Sequence, residues 1–153
     1  MSEVLGKVNL TGDKVLSLVQ VEKLNLFDIR LSLLFQKFIP VAYLEDYLSD
    51  KKVINIRVNH RSVGYIFLCR SIYKTEFFHP KSYILDYSIK RLYRGKKIGQ
   101  NALGLLFSED VSQKVDSTRY IAYIDTQNIA SIRCMEKQNV TRVEKAYVKD
   151  IEH

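Results

Sequence analysis

The sequence predicts a single α+β domain, residues 1–153, built on a mixed sheet. Strand-like segments dominate the first half, and the second half alternates strand, basic loop, helix, strand, helix and strand. The first pattern suits antiparallel hairpins and the second needs one crossover connection, so both kinds of pairing are expected in one sheet. Composition agrees: 46% apolar and 27% charged residues are globular proportions. Ten Tyr and seven Phe argue against disorder.

Lys7 to Leu10 and Lys14 to Val21 read as strands around a Thr11-Gly12-Asp13 turn. Asn25 can cap a helix whose apolar face would be Phe27, Leu31, Leu34 and Phe38, ending before Pro40. A short helix from Val41 to Leu48 follows. Val53 to Val58 and Val63 to Cys69 form a hairpin about Asn59-His60-Arg61-Ser62. Tyr83 to Ile89 is the next strand. A helical pattern through Ala102, Leu103, Leu106, Phe107 and Val111 comes after the basic loop. Tyr120 to Ile124 is a strand, Asn128 starts a helix, and Thr141 to Val148 is the last strand.

No apolar run approaches the roughly 20 residues of a membrane helix. The first residues lack a basic-then-apolar leader, so a cytoplasmic protein with no membrane partner is expected. Cys69 and Cys134 share no metal-ligand spacing with His60, His79 or His153, so no metal is expected and both read as buried thiols. A net charge of +7 favours anionic partners. The charges are scattered, and no nucleic-acid motif accompanies them, so nucleic acid is not expected.

Arg94-Gly95-Lys96-Lys97-Ile98-Gly99-Gln100 lies between a strand and a helix. The first N–H groups of a helix lack internal partners, and the dipole adds positive charge there, so a pyrophosphate fits. Gly95 and Gly99 allow close backbone approach. A basic turn before a helix is also an ordinary structural element, and this one matches neither the P-loop nor the dinucleotide fingerprint.

Two segments in order carry more weight. Arg94-x-x-Lys97-x-Gly99 resembles motif A of the GNAT acetyltransferase superfamily, Gln/Arg-x-x-Gly-x-Gly/Ala, with Lys97 in place of the middle glycine. Asn128 to Val140 resembles motif B, Asn-x-x-Ser-x-x-x-Tyr-Glu-Lys-x-Gly-Phe. Asn128, Ser131, Glu136 and Lys137 match it; Met135, Asn139 and Val140 depart from it. The resemblance covers roughly the last half of the chain. It implies a mostly antiparallel sheet flanked by helices, and N-acetyl transfer from acetyl-CoA to a primary amine on a small molecule or peptide. It also implies a pyrophosphate on the amides of Gly95 to Gln100 and pantetheine along Tyr87, Ser88 and Ile89. Asn128 and Ser131 would then help hold the cofactor, although Asn128 also reads as a plain helix cap. The missing tyrosine at Met135 leans toward the branch resembling ribosomal-protein N-terminal acetyltransferases. A non-catalytic acyl-CoA-binding module of the same fold is the alternative.

Asp86 interrupts the apolar strand Ile84-Leu85-Asp86-Tyr87, where burial would raise its pKa to suit a general base. A solvent-facing or ion-paired carboxylate is the equal reading. Met135 cannot donate a proton; Tyr87, Tyr123 and Cys134 are substitutes, the last two reading as core. Relatives usually end in two antiparallel strands after motif B. One of them looks absent here, and the edge so exposed predicts a homodimer.

Overall fold

The computed structural model describes residues 2–33, 41–70, 81–143 and 146–151. Its strands are β1 (Glu3–Asn9), β2 (Val15–Gln20), β3 (Lys51–Val58), β4 (Arg61–Arg70), β5 (Ser82–Ile89), β6 (Arg119–Tyr123), β7 (Thr141–Val143) and β8 (Ala146–Asp150). All belong to one sheet, ordered β1-β2-β3-β4-β5-β6-β8-β7. Among the described residues only β5 and β6 pair in parallel; the other neighbours are antiparallel. The class is therefore the α+β mixed sheet that the element order predicts, and it is mostly antiparallel, as the resemblance implies.

Turn chemistry sets the hairpins. Asn59 and His60 both take left-handed backbone, φ 48° and 72°, the two-residue turn that matches strand twist. Asn59 also ties the turn to its neighbour, its Oδ1 accepting from the Val15 amide at 2.8 Å.

Helices cover both faces. Helix α1 (Leu26–Ser32) and helix α2 (Val41–Leu48) lie on one face, where Ile29, Leu44 and Leu48 pack on Val53, Tyr65 and Phe67. Helix α3 (Ile98–Leu106), helix α4 (Glu109–Val115) and helix α5 (Ile129–Glu136) lie on the other, over the larger core built around Leu18, Ile66, Leu103 and Tyr120. The predicted helix through Val111 is two helices. Ser108 breaks it by capping α4, its hydroxyl accepting from the Val111 amide at 3.4 Å, with Glu109 and Asp110 in the first turn.

Two expectations are corrected. Phe27 and Leu31 do not face the core; they are 72% and 70% exposed. Helix α1 instead buries Ile29 and Ser32, with Leu26 and Leu33 packed beside them. Both sides of α1 carry apolar residues at helical spacing, so the period alone does not choose between them. Leu34, Phe38 and Pro40 lie outside the described residues, as do His79 and His153.

The C-terminal strand is not missing. Thr141 to Asp150 forms two strands, β7 and β8, with Val143 paired to Ala146 so that only residues 144 and 145 join them. β8 inserts beside β6, and β7 takes the edge. The edge argument for a homodimer loses its premise accordingly.

A polar cluster anchors α1. Asp28 accepts from the Ser62 and Tyr65 hydroxyls at 2.5 Å each and pairs with Lys90. Burial opposes its ionisation, but the Lys90 ammonium and the two hydroxyls outweigh that and hold the carboxyl below the usual carboxylate range. A depressed folded-state pKa stabilises the fold above the unfolded-state pKa, and that stabilisation is lost as pH falls through the folded value. Asp28→Asn is therefore expected to cost roughly 2–3 kcal/mol at neutral pH. In urea unfolding the difference from wild type should shrink below about pH 4.

Candidate active site

β5 and β6 part company halfway along. Their parallel ladder runs from Ser82–Arg119 to Ile84–Ile121, while β5 continues to Ile89 and β6 to Tyr123. On its other side β5 stays paired with β4 as far as Ile89. The Lys90 amide bonds the Val63 carbonyl, so by strand alternation residues 84, 86 and 88 direct backbone groups to β4. Residues 85, 87 and 89 direct theirs into the gap. Two are already engaged locally: the Tyr87 amide donates to Asp86 Oδ1 at 2.9 Å, and Arg94 Nε donates to the Ile89 carbonyl at 2.8 Å.

The gap opens into a cavity of about 380 Å³. Tyr87, Ser88 and Ile89 of β5 form one wall. Arg94, Gly95, Lys97, Ile98, Gly99 and Gln100 form the second, and Asn128, Ser131 and the rest of the α5 start form the third. These are the residues the sequence singles out for a cofactor, with one exception. Lys96 does not line this cavity; it lies on a neighbouring one. Asp86 is also absent from the lining and belongs to the opposite face of β5.

The loop before α3 is shaped for close approach. Gly95 and Lys97 both take left-handed backbone, φ 75° and 61°. Lys97 is the N-cap of α3 and supplies no side-chain cap. The first backbone donor closing the helix is the Asn101 amide, to the Lys97 carbonyl at 3.0 Å. The amides of Ile98, Gly99 and Gln100 are thus the orphan donors of the helix start. A Cβ on Gly99 would stand 3.3 Å from the Tyr87 ring and 3.7 Å from Cys134 Sγ. Arg94, Lys97, Arg133 and Lys137 line the cavity with no carboxylate among the lining residues. An anion is what such a wall attracts.

Lys97 occupies a conformation that glycine adopts freely, and an L-residue there is strained by about 1 kcal/mol. Lys97→Gly is accordingly expected to raise unfolding stability by roughly that amount, read as a higher urea midpoint at unchanged slope.

Asn128 caps α5, its side chain accepting from the Ser131 amide at 3.3 Å. The Tyr87 hydroxyl donates to Ser131 Oγ at 3.2 Å, joining β5 to α5 across the cavity. Burial pushes the Tyr87 phenol well above its ordinary pKa. Met135 is fully buried in the core, so it does not present a group to the cavity. Cys134, the residue before it, does line the cavity; it and Cys69 are half-buried rather than enclosed. Tyr123 is exposed, not core. His60 sits on its hairpin turn.

Sequence reasoning did not assign Tyr93, Ala130, Arg133 or Lys137 to the site, and it read Cys134, a substitute proton donor, as core. The signal was helical spacing: Ala130, Cys134 and Lys137 follow one another by four and three on the face that Ser131 and Arg133 flank. Lys137 Nζ donates to Gln100 Oε1 at 3.2 Å, and Gln138 Nε2 donates to the Gln100 carbonyl at 3.0 Å, which locks α5 to the start of α3.

Asp86 lies opposite Phe67, beneath α2. The Tyr47 hydroxyl reaches its Oδ2 at 3.5 Å. Asp86 is an exposed residue at the surface of the sheet. Desolvation nevertheless raises its pKa above the usual carboxylate range, against the lowering effects of the Tyr87 amide, the Tyr47 hydroxyl and the Lys51 charge. The same neighbourhood pushes the Tyr47 phenol up to about 12, through burial first and the Asp86 charge second. Among the described residues no cluster of His, Cys, Asp and Glu has the makings of a metal site, and no helix is long and apolar enough to cross a membrane.

No protein-family model and no curated protein matches the sequence. Solved structures do match the fold. The aminoglycoside acetyltransferase AAC(6′)-Ib, solved with coenzyme A, superposes with a TM-score of 0.69 at 16% identity, over 88% of this chain and 94% of that one. A spermidine N-acetyltransferase chimera from Vibrio cholerae and hSSAT gives 0.69 at 11% identity, over 88% and 95%. The yncA protein from Salmonella typhimurium, solved with acetyl-CoA, gives 0.63 at 13% identity, over 90% and 95%. The chain thus shares the fold of these acetyltransferase structures.

Proposed function

We propose that this protein is an N-acetyltransferase that moves an acetyl group from acetyl-CoA to a primary amine of a small molecule or peptide, within one ternary complex. The carrying observation is the parting of β5 from β6 beside an uncapped, cation-lined helix start. That arrangement supplies a backbone edge for an extended amide-bearing arm and a cradle for its pyrophosphate in one cavity. The resemblance of both motifs supports the reading, as do structural neighbours solved with acetyl-CoA or coenzyme A.

When bound, acetyl-CoA supplies a thioester carbon open to attack. The amides of Ile98 to Gln100, with Arg94 and Lys97, hold the pyrophosphate. Tyr87 to Ile89 direct the pantetheine, and Asn128 and Ser131 close the far wall. Asp86 faces away from the phosphate cradle, toward the α2 side where an acceptor would enter. It accepts the proton of the ammonium and leaves a neutral amine. The new N–C bond forms as the C–S bond breaks, and positioning of the two substrates carries much of the rate. The departing thiolate takes up a proton, and Tyr87 and Cys134, which line the cavity beside Ser88, Tyr93 and Ser131, are the candidates to supply it.

Met135 and Lys97, both departures from the motifs, favour one other reading: an acyl-CoA-binding module without catalysis. Free-thiol release from acetyl-CoA across a panel of amines separates the two. The enzyme reading expects release dependent on one class of amine. Tight coenzyme A binding with no release from any amine supports the module.

A further inference from the structure

The end of β5 is gripped from behind. Residues Tyr87 to Ile89 line the cavity, and on the other edge the strand is laddered to β4 as far as Ile89. The face turned to α1 carries two polar ties. Ser88 Oγ lies 2.8 Å from Ser32 Oγ. The Ser32 hydroxyl donates its own proton to the Ile29 carbonyl at 2.6 Å, so Ser88 is the donor between them. Two residues on, the Lys90 ammonium pairs with Asp28. The spacings agree. Asp28 and Ser32 are about one helical turn apart, roughly 6 Å, and Ser88 and Lys90 are two strand residues apart, also between about 6 and 7 Å. Ser32 is fully buried, and the Lys90 and Asp28 side chains are only 18% and 20% exposed. Both ties are therefore shielded from water, unlike a surface pair that salt screens away.

The ties sit at a junction. Lys90 precedes the short turn Arg91–Tyr93 that leads into the basic loop, and its amide bonds the Val63 carbonyl at 2.8 Å. Asp28 is itself fixed by Ser62 and Tyr65 of β4. Asn55 of β3 holds that neighbourhood in turn, donating to Ser62 Oγ at 2.8 Å and to the Gly64 carbonyl at 3.0 Å. Gly64 lets β4 come close, since a Cβ there would collide with the Ser88 carbonyl. Asp86, two residues before Ser88, shares the face on which α1 and α2 pack. We infer that Asp28 and Ser32 are positioning residues for the coenzyme: through Lys90 and Ser88 they fix the stretch of β5 that receives its pantetheine, and they tie α1, a wall of the acceptor side, to that stretch. The coenzyme part rests on the acetyl-transfer reading; the grip on β5 does not. A coenzyme that orders the end of β5 then orders α1, and by reciprocity a loosened α1 weakens coenzyme binding by the same factor.

Asp28→Asn and Ser32→Ala test the grip, in the full chain and at a temperature where both variants stay folded. Without ligand, hydrogen exchange of the Ser88 and Lys90 amides should quicken roughly tenfold in each variant, the effect of one lost hydrogen bond on local opening. Calorimetric titration with coenzyme A should show affinity lowered roughly fivefold in each, although neither residue lines the cavity. Leu44→Val is the control: it loosens the packing of α2 and removes no polar tie to β5. It should lower the melting temperature and leave both amides and the affinity as in wild type. Wild-type exchange at Ser88 and Lys90 in both variants overturns the grip. Unchanged coenzyme affinity in both, or an equal loss in Leu44→Val, overturns the positioning role and leaves a contribution to general stability only. Failure of coenzyme A to bind wild type, with the exchange result intact, would count against the acetyl-transfer reading alone.

Discussion

Gly99→Asp is expected to abolish coenzyme A binding. Two effects act together. The new side chain would start 3.3 Å from the Tyr87 ring and 3.7 Å from Cys134 Sγ, where two elements of the cavity wall already meet. It would also place a carboxylate at the second residue of α3, where the pyrophosphate is proposed to sit. At about 4 Å two like charges repel by roughly 4 kcal/mol near a protein surface, close to a thousandfold in affinity. Folding should survive, because an acid suits a helix start. Calorimetric titration beside a thermal melt makes the check. A folded variant that binds coenzyme A with wild-type affinity would remove the pyrophosphate from this loop.

Asp86→Asn should lower turnover by roughly one hundred-fold or more, the scale of a single general base. Cofactor affinity should hardly move, since Asp86 lies outside the cavity lining and on the α2 face of β5. The pH profile carries a sharper sign. A base must be deprotonated, so activity falls as pH drops through its pKa, and desolvation places that limb above the ordinary carboxylate range. The limb should vanish in the Asn variant. Unchanged turnover and profile, on a verified acceptor, would assign the proton transfer to water and positioning instead.

Much of this site could be read from residues alone, because its walls follow local rules. A basic loop with two glycines before an apolar helix pattern announces a helix start that lacks a side-chain cap. An Asn-x-x-Ser sequence announces a capped helix, and the Asn128–Ser131 bond is that cap. What could not be read depends on pairing and packing. The separation of β5 from β6 after Ile84 is a property of two strands together, and neither strand's sequence marks it. The rotation of α1 could not be read either, since Leu26, Ile29 and Leu33 compete with Phe27 and Leu31 at the same spacing. The pairing of Val143 with Ala146 has no mark in the sequence, because Glu144-Lys145 carries none of the Gly, Asn or Asp that usually signal a tight turn. Tyr47 comes to Asp86 from 39 positions away, through the packing of α2 on the sheet.

The central claim is that the coenzyme lies between the parted ends of β5 and β6, its pyrophosphate on the start of α3. Backbone amide shifts in a 15N-labelled sample titrated with coenzyme A test it most directly. The expected result is large, saturating shifts at Tyr87, Ile89 and Ile98 to Gln100, with smaller ones at Asn128 and Ser131. Saturating shifts confined to other parts of the sheet, with these amides unmoved, would contradict it.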